Sequence, residues 1–148
     1  MADPGARQRA SRAVERLRLA EASLSRRRQT ACGPSENARA AMRFILERAD
    51  LTETVTPRAV AAHLGVSAAA VTGILDKLHA GGMITFHTNP DDRRSKLIVP
   101  FDRSADADDI DPLTANIRDA SDELPPEVAD AVAEFIERIT RSVDSECR

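Results

Sequence analysis

With 148 residues, four phenylalanines and neither Trp nor Tyr, the chain is long enough for one domain with an aliphatic core. It holds no run approaching the roughly 18 apolar residues of a membrane span, no apolar leader segment and only two distant cysteines, Cys32 and Cys147. These features exclude a disulfide scaffold and predict a cytoplasmic protein. The net charge of −3 conceals a strong polarity: residues 1–31 carry eight arginines against three acids, residues 32–100 eight basic against seven acidic groups, and residues 101–148 five against fourteen. A chain so divided can turn a basic surface to phosphates while its acidic end faces away.

In chain order, residues 6–29 read as a helix with Ala10, Val14, Leu17, Ala20 and Leu24 on one face and most of the arginines on the others. Gly33 and Pro34 break it. Ser35 then caps a second helix running to Asp50, with Ala38, Met42, Ile45, Leu46 and Ala49 turned inward. The segment Glu53 to Val55 is extended and suited to pairing with a later hairpin, because Thr and Val favour strands.

Thr56 caps the next helix, whose first residue, Pro57, loses no useful N–H there. Val60, Ala61 and Leu64 face inward, and Gly65 can take the left-handed conformation that stops the helix. Ser67 caps another helix only two residues later, with Val71, Ile74, Leu75 and Leu78 as its buried stripe and Gly81-Gly82 at its end. Two strands follow, Met83 to His87 and Lys96 to Pro100, joined by a turn at Asn89-Pro90-Asp91-Asp92. The acidic stretch Asp102 to Asp111 reads mostly as a solvated loop. Helices are expected from Pro112 towards Glu123 and from Pro126 to about Val143. In the second of these, Val128, Val132, Phe135, Ile136, Ile139 and Val143 make a continuous apolar face.

The expected fold is therefore mainly α with a small β wing: one domain, 1–148, with a winged helix-turn-helix at 51–100. Helices 6–29 and 126–143 exceed what a small reading head needs, and pairing with an identical chain would bury their apolar faces. In a helix-turn-helix the second helix enters the major groove, so duplex DNA is the expected partner and a twofold dimer would match a pseudo-palindromic operator.

The candidate DNA contacts are Arg93 and Arg94 on the wing, Ser67, Thr72 and Lys77 on the second helix of the pair, Arg58 at the start of the first, and His87 at the wing base. A guanidinium suits a narrow, electronegative minor groove, with Asp92 orienting the wing. Phe86 is expected to pack beneath it. Each assignment has a plainer counterpart: a solvated charge turn for the wing, a helix cap for Ser67, packing or surface roles for His63, His79 and His87. The histidines lie sixteen and eight residues apart, there is no compact metal-ligand motif and no glycine-rich phosphate loop, so neither an enzyme nor a cofactor is expected. Cys32 is a candidate redox-active thiol beside Arg26, Arg27 and Arg28.

The run from Gly82 to Ser95, with Asp92-Arg93-Arg94 in its acidic-x-arginine pattern, resembles the MarR family of bacterial transcriptional regulators. The resemblance is strongest over residues 56–98 and extends by helix order to 6–143. It implies a homodimer formed by the first and last helices, a wing arginine in the minor groove, and commonly a repressor released by a small phenolic or other amphipathic ligand. Some relatives sense oxidation through an N-terminal cysteine. Two positions depart from the family's habit: Phe86 stands where arginine is frequent, and Gly73 where a polar or basic residue is. These departures motivate the alternative of a winged-helix protein-interaction module with little or no DNA affinity.

Overall fold

The computed structural model describes residues 3–30 and 34–148. Its elements in order are α1 (Pro4–Thr30), α2 (Glu36–Asp50), α3 (Pro57–Leu64), α4 (Ala68–Ala80), β1 (Ile84–Thr88), β2 (Lys96–Pro100), α5 (Ala107–Ile110), α6 (Pro112–Asp122) and α7 (Pro126–Ser145). The chain forms two compact units, Met1–Ile110 and Asp111–Arg148.

In the first unit, local chemistry sets the helix ends. Ser35, Thr56 and Ser67 each accept a hydrogen bond from the backbone N–H three residues on, satisfying a donor that the first helical turn leaves unpaired. Gly65 ends α3 at φ 66°, a left-handed conformation that an L side chain resists. The N–H groups of Gly65 and Val66 then return to Ala62 and Ala61 carbonyls, so α3 turns sharply into α4, at 110° to it. Such a crossing belongs to the helix-turn-helix.

The core of this unit lies where α2, α3, α4 and the hairpin meet. Met42, Ile45 and Leu46 of α2 pack with Val60, Val71, Leu75, Ile84 and Ile98, all essentially without solvent contact. Each large aliphatic side chain so buried contributes about 1.5–3 kcal/mol. Ala41 and Phe44 are also buried, while Ala49 is only half-buried, so the inward face of α2 is broader than its simplest periodicity suggests.

β1 and β2 are antiparallel, in a register that sets Phe86 opposite Ile98 and His87 opposite Leu97. Val55 bridges Ile98 on the far edge of β2, which gives the expected extended segment its place beside the hairpin. One expectation gives way. The stretch Asp102 to Asp111 is not merely a solvated loop, because Ala107–Ile110 form α5 against α2. Arg43 holds it there, donating to the Ala107 carbonyl at 3.3 Å and to Asp108 Oδ1 at 3.1 Å, and Arg39 donates to the Ile110 carbonyl at 2.9 Å. At the start of this stretch the Ser104 hydroxyl and N–H both donate to Asp102, holding its carboxyl below the usual carboxylate range.

The second unit is a helical pair. Along α7, Val128, Val132, Phe135, Ile136 and Val143 are all substantially exposed, as are Leu113 and Ile117 of α6. Among the described residues no single helix is long and apolar enough to cross a membrane.

Candidate nucleic-acid interface

The wing tip is shaped by side chains bonding to nearby backbone. Asn89 Oδ1 accepts from the Asp91 N–H at 3.0 Å, while its amide donates to Ser95 Oγ at 2.9 Å across the tip. Asp92 Oδ1 accepts from the Arg94 N–H at 3.0 Å, and the Asp92 carbonyl accepts from the Ser95 N–H at 3.1 Å. These bonds fold the tip into consecutive turns and leave the Arg93 and Arg94 side chains exposed. Asp92 thus bonds the Arg94 backbone and not its guanidinium.

Beneath the tip, Phe86 is half-buried and packed on the core side of the hairpin. Its ring lies 5.1 Å from that of His79, and the Lys96 ammonium sits 5.2 Å from its centroid. The cation–π geometry pins Lys96 at the wing base, a basic group that sequence alone did not single out. No local pattern signals it, because the contact needs the hairpin register. His79 Nδ1 lies 3.1 Å from the Ile84 carbonyl, tying the end of α4 to the first wing strand. His87 is exposed, with Nε2 3.5 Å from Thr85 Oγ1.

On the helix pair, Arg58 and Lys77 are exposed. Ser67 caps α4 through Ala70, and Thr72 Oγ1 donates to the Ala68 carbonyl at 2.9 Å. Gly73 is exposed, and a Cβ built there meets nothing within 4 Å. Asp76 is a further exposed group on this helix, and its sequence position alone gave no reason to single it out. Ser67 thus stands at the N-terminus of α4, Thr72 and Lys77 along it, and Arg93 and Arg94 on the wing. His63 is elsewhere, stacked on Phe44 at 4.3 Å, and Arg48 lies 5.1 Å from the same Phe44 ring. Cys32 falls outside the described residues. Cys147 is a free, exposed thiol.

A cavity of about 330 Å³ lies between the end of α1 and the start of α2, lined by Ser25, Arg28, Gln29, Ser35, Glu36 and Asn37. Arg28 pairs with Glu36 across it. The six side chains around it are all polar or charged. Among the described residues no group of three or more His, Cys, Asp or Glu side chains could hold a metal ion.

A sharp helix pair packed on a third helix, with a two-stranded hairpin projecting exposed arginines, defines a winged helix-turn-helix. Residues 37–95 match the family model described as the MarR family. The chain is similar in structure to FabT of Streptococcus pneumoniae, solved in complex with DNA, at 18% identity and a TM-score of 0.60, covering 91% of this chain and 97% of that one. It is also similar to the transcriptional regulator BldR of Sulfolobus solfataricus, at 15% identity and a TM-score of 0.57, covering 93% and 99%. The zinc-responsive MarR family member ZitR of Lactococcus lactis matches at 15% identity and a TM-score of 0.54, covering 90% and 99%. No curated protein sequence matches the chain. At these identities the likeness establishes the fold, a winged helix-turn-helix.

Proposed function

We propose that the protein is a homodimeric DNA-binding transcriptional regulator, acting as a repressor in the cytoplasm. The observation that carries this reading is the wing: Asn89 and Asp92 commit their polar groups to the local fold, leaving Arg93 and Arg94 to reach outward beside α4. Arg58, Lys77 and His87 add exposed groups able to meet phosphates, and Ser67 and Thr72 lie on the helix that would enter the major groove. That FabT was solved with DNA supports the same use of this fold.

The dimer in this reading is built from α1 and α7. The exposed Val128, Val132, Phe135, Ile136 and Val143 form an apolar face that water solvates poorly, and a second copy would cover it. Release by a small amphipathic or phenolic ligand, and redox control through Cys32, complete the proposal as family-derived elements.

The test is a gel-shift titration of the folded protein against duplexes from the DNA adjoining its own gene, at low and raised salt. Specific, salt-sensitive retardation of one fragment is expected. One observation favours a second reading, a protein-interaction module: the exposed middle of α4 offers little to hydrogen-bond with bases. Absence of binding to every fragment at low salt would select that reading.

A further inference from the structure

The exposed side chains of α4 between Ser67 and Lys77 are those of Ala68, Ala69, Ala70, Thr72 and Asp76, with Gly73 adding none. Ala69, Gly73 and Asp76, spaced by four and three residues, share one face of the helix, opposite the buried Val71, Leu75 and Leu78. Thr72 has committed its hydroxyl hydrogen to the Ala68 carbonyl, so its exposed atoms are a methyl and oxygen lone pairs. The middle of the helix therefore presents methyl groups and acceptors, and no side-chain donor.

The base edges in the major groove respond very differently to such a surface. Guanine shows two acceptors, O6 and N7, and needs donors opposite them. Adenine sets an acceptor, N7, beside its amino group, so a carboxylate approaching that amino group is repelled. Cytosine shows the N4 amino donor, which a carboxylate accepts, and thymine shows its C5 methyl, which alanine contacts. Gly73 strengthens the argument, because open space around its missing Cβ permits close approach of the helix to the base edges.

We propose that α4 reads pyrimidines: Ala69 against a thymine methyl and Asp76 against a cytosine amino group. Purines are then specified only through their complements, and Lys77 and the wing arginines supply phosphate and minor-groove attraction. This rests on the reading of the protein as a DNA-binding regulator and names the class of sequence its recognition helix selects.

The full-length protein should first be used to select duplexes from a randomised library. Each thymine of the enriched sequence is then replaced singly by deoxyuridine, which removes the methyl and keeps the pairing. At least one position per half-site should weaken binding about fivefold or more. Ala69→Gly, checked for folding by circular dichroism, should bind the thymine duplex more weakly and become indifferent to uracil at that position. Asp76→Asn should change the selected base at one position from cytosine to adenine, the partner of an amide side chain. Tolerance of uracil at every thymine, an undiminished uracil penalty in Ala69→Gly, or an unchanged preference in Asp76→Asn would each overturn the inference while leaving the DNA-binding reading intact. Failure to enrich any duplex would overturn both.

Discussion

Asp92 holds the wing by its Oδ1, which accepts the backbone N–H of Arg94 at 3.0 Å, so the acid fixes the turn without neutralising the guanidinium beyond it. A direct ion pair would have competed with phosphate for the same charge. An exposed pair of that kind contributes little stability, whereas a turn-forming bond to backbone orders the segment that must reach DNA.

Replacing Arg93 and Arg94 together with alanine should therefore weaken DNA binding by about 1–3 kcal/mol for each phosphate or minor-groove interaction abolished, with a shallower salt dependence. The dimer and the melting temperature should be unchanged. Titrations at matched salt, with light scattering on the same samples, check this; wild-type affinity would remove the wing from the binding mechanism.

Asp92→Ala should also weaken DNA binding, although it removes a negative charge that ought to repel phosphate. The expected direction opposes simple electrostatics, which makes it a useful discriminator. Tighter binding by this variant would show that turn order at the wing tip is unimportant.

Gly73→Ala should stabilise the fold by about 0.5–1 kcal/mol, because glycine is a poor helix residue and the added methyl meets open space. Urea denaturation reads the gain directly. If the same variant also binds DNA more weakly, the glycine serves approach to the groove and not packing.

Arg43→Ala should destabilise the first unit, by an amount on the order of 1.5–3 kcal/mol for a charged hydrogen bond removed. The Arg43 side chain is 15% exposed and serves Ala107, Asp108 and Glu47 at once. The effect should appear as a lower urea midpoint, accompanied by faster proteolysis around residues 102–110. An unaltered midpoint would show that α5 contributes nothing to the stability of the head.

Placing charge on the apolar face of α7, as in Val132→Glu with Phe135→Glu, should yield a monomer that still folds its reading head. Sedimentation at micromolar concentration measures this. A persistent dimer would move the pairing surface away from α7.

Much of this architecture was legible along the chain because its signals are local. Caps at Ser35, Thr56 and Ser67, the left-handed Gly65, and the stripe Val71, Leu75 and Leu78 all act within a few residues. Val55 announced a place beside the hairpin through strand preference, though not which strand it would bridge. What escaped depends on partners far away. The run Ala107–Ile110 has too few residues to show a helical period, and its support comes from Arg39 and Arg43, more than sixty positions earlier. The stack of His63 on Phe44 and the pinning of Lys96 by Phe86 likewise follow from tertiary register. At the candidate interface, sequence offered polar side chains but not the committed hydroxyl of Thr72, since a threonine in a helix can point its hydrogen either to the backbone or outward.

The dependence of α3, α4, α5 and β2 on the single scaffold of α2 has a kinetic consequence. Amide hydrogens along α2 should exchange with deuterium only when the whole head unfolds, whereas those of residues 89–95, held by local turn bonds at the surface, should exchange through small openings. A duplex that binds only the folded head lowers the unfolded population by mass action. Exchange along α2 should then slow by the full binding factor, although this helix packs beneath the hairpin and away from the wing tip. Its buried amides would thus act as a remote gauge of DNA affinity, and the wing-tip amides would report only how tightly that one loop is held.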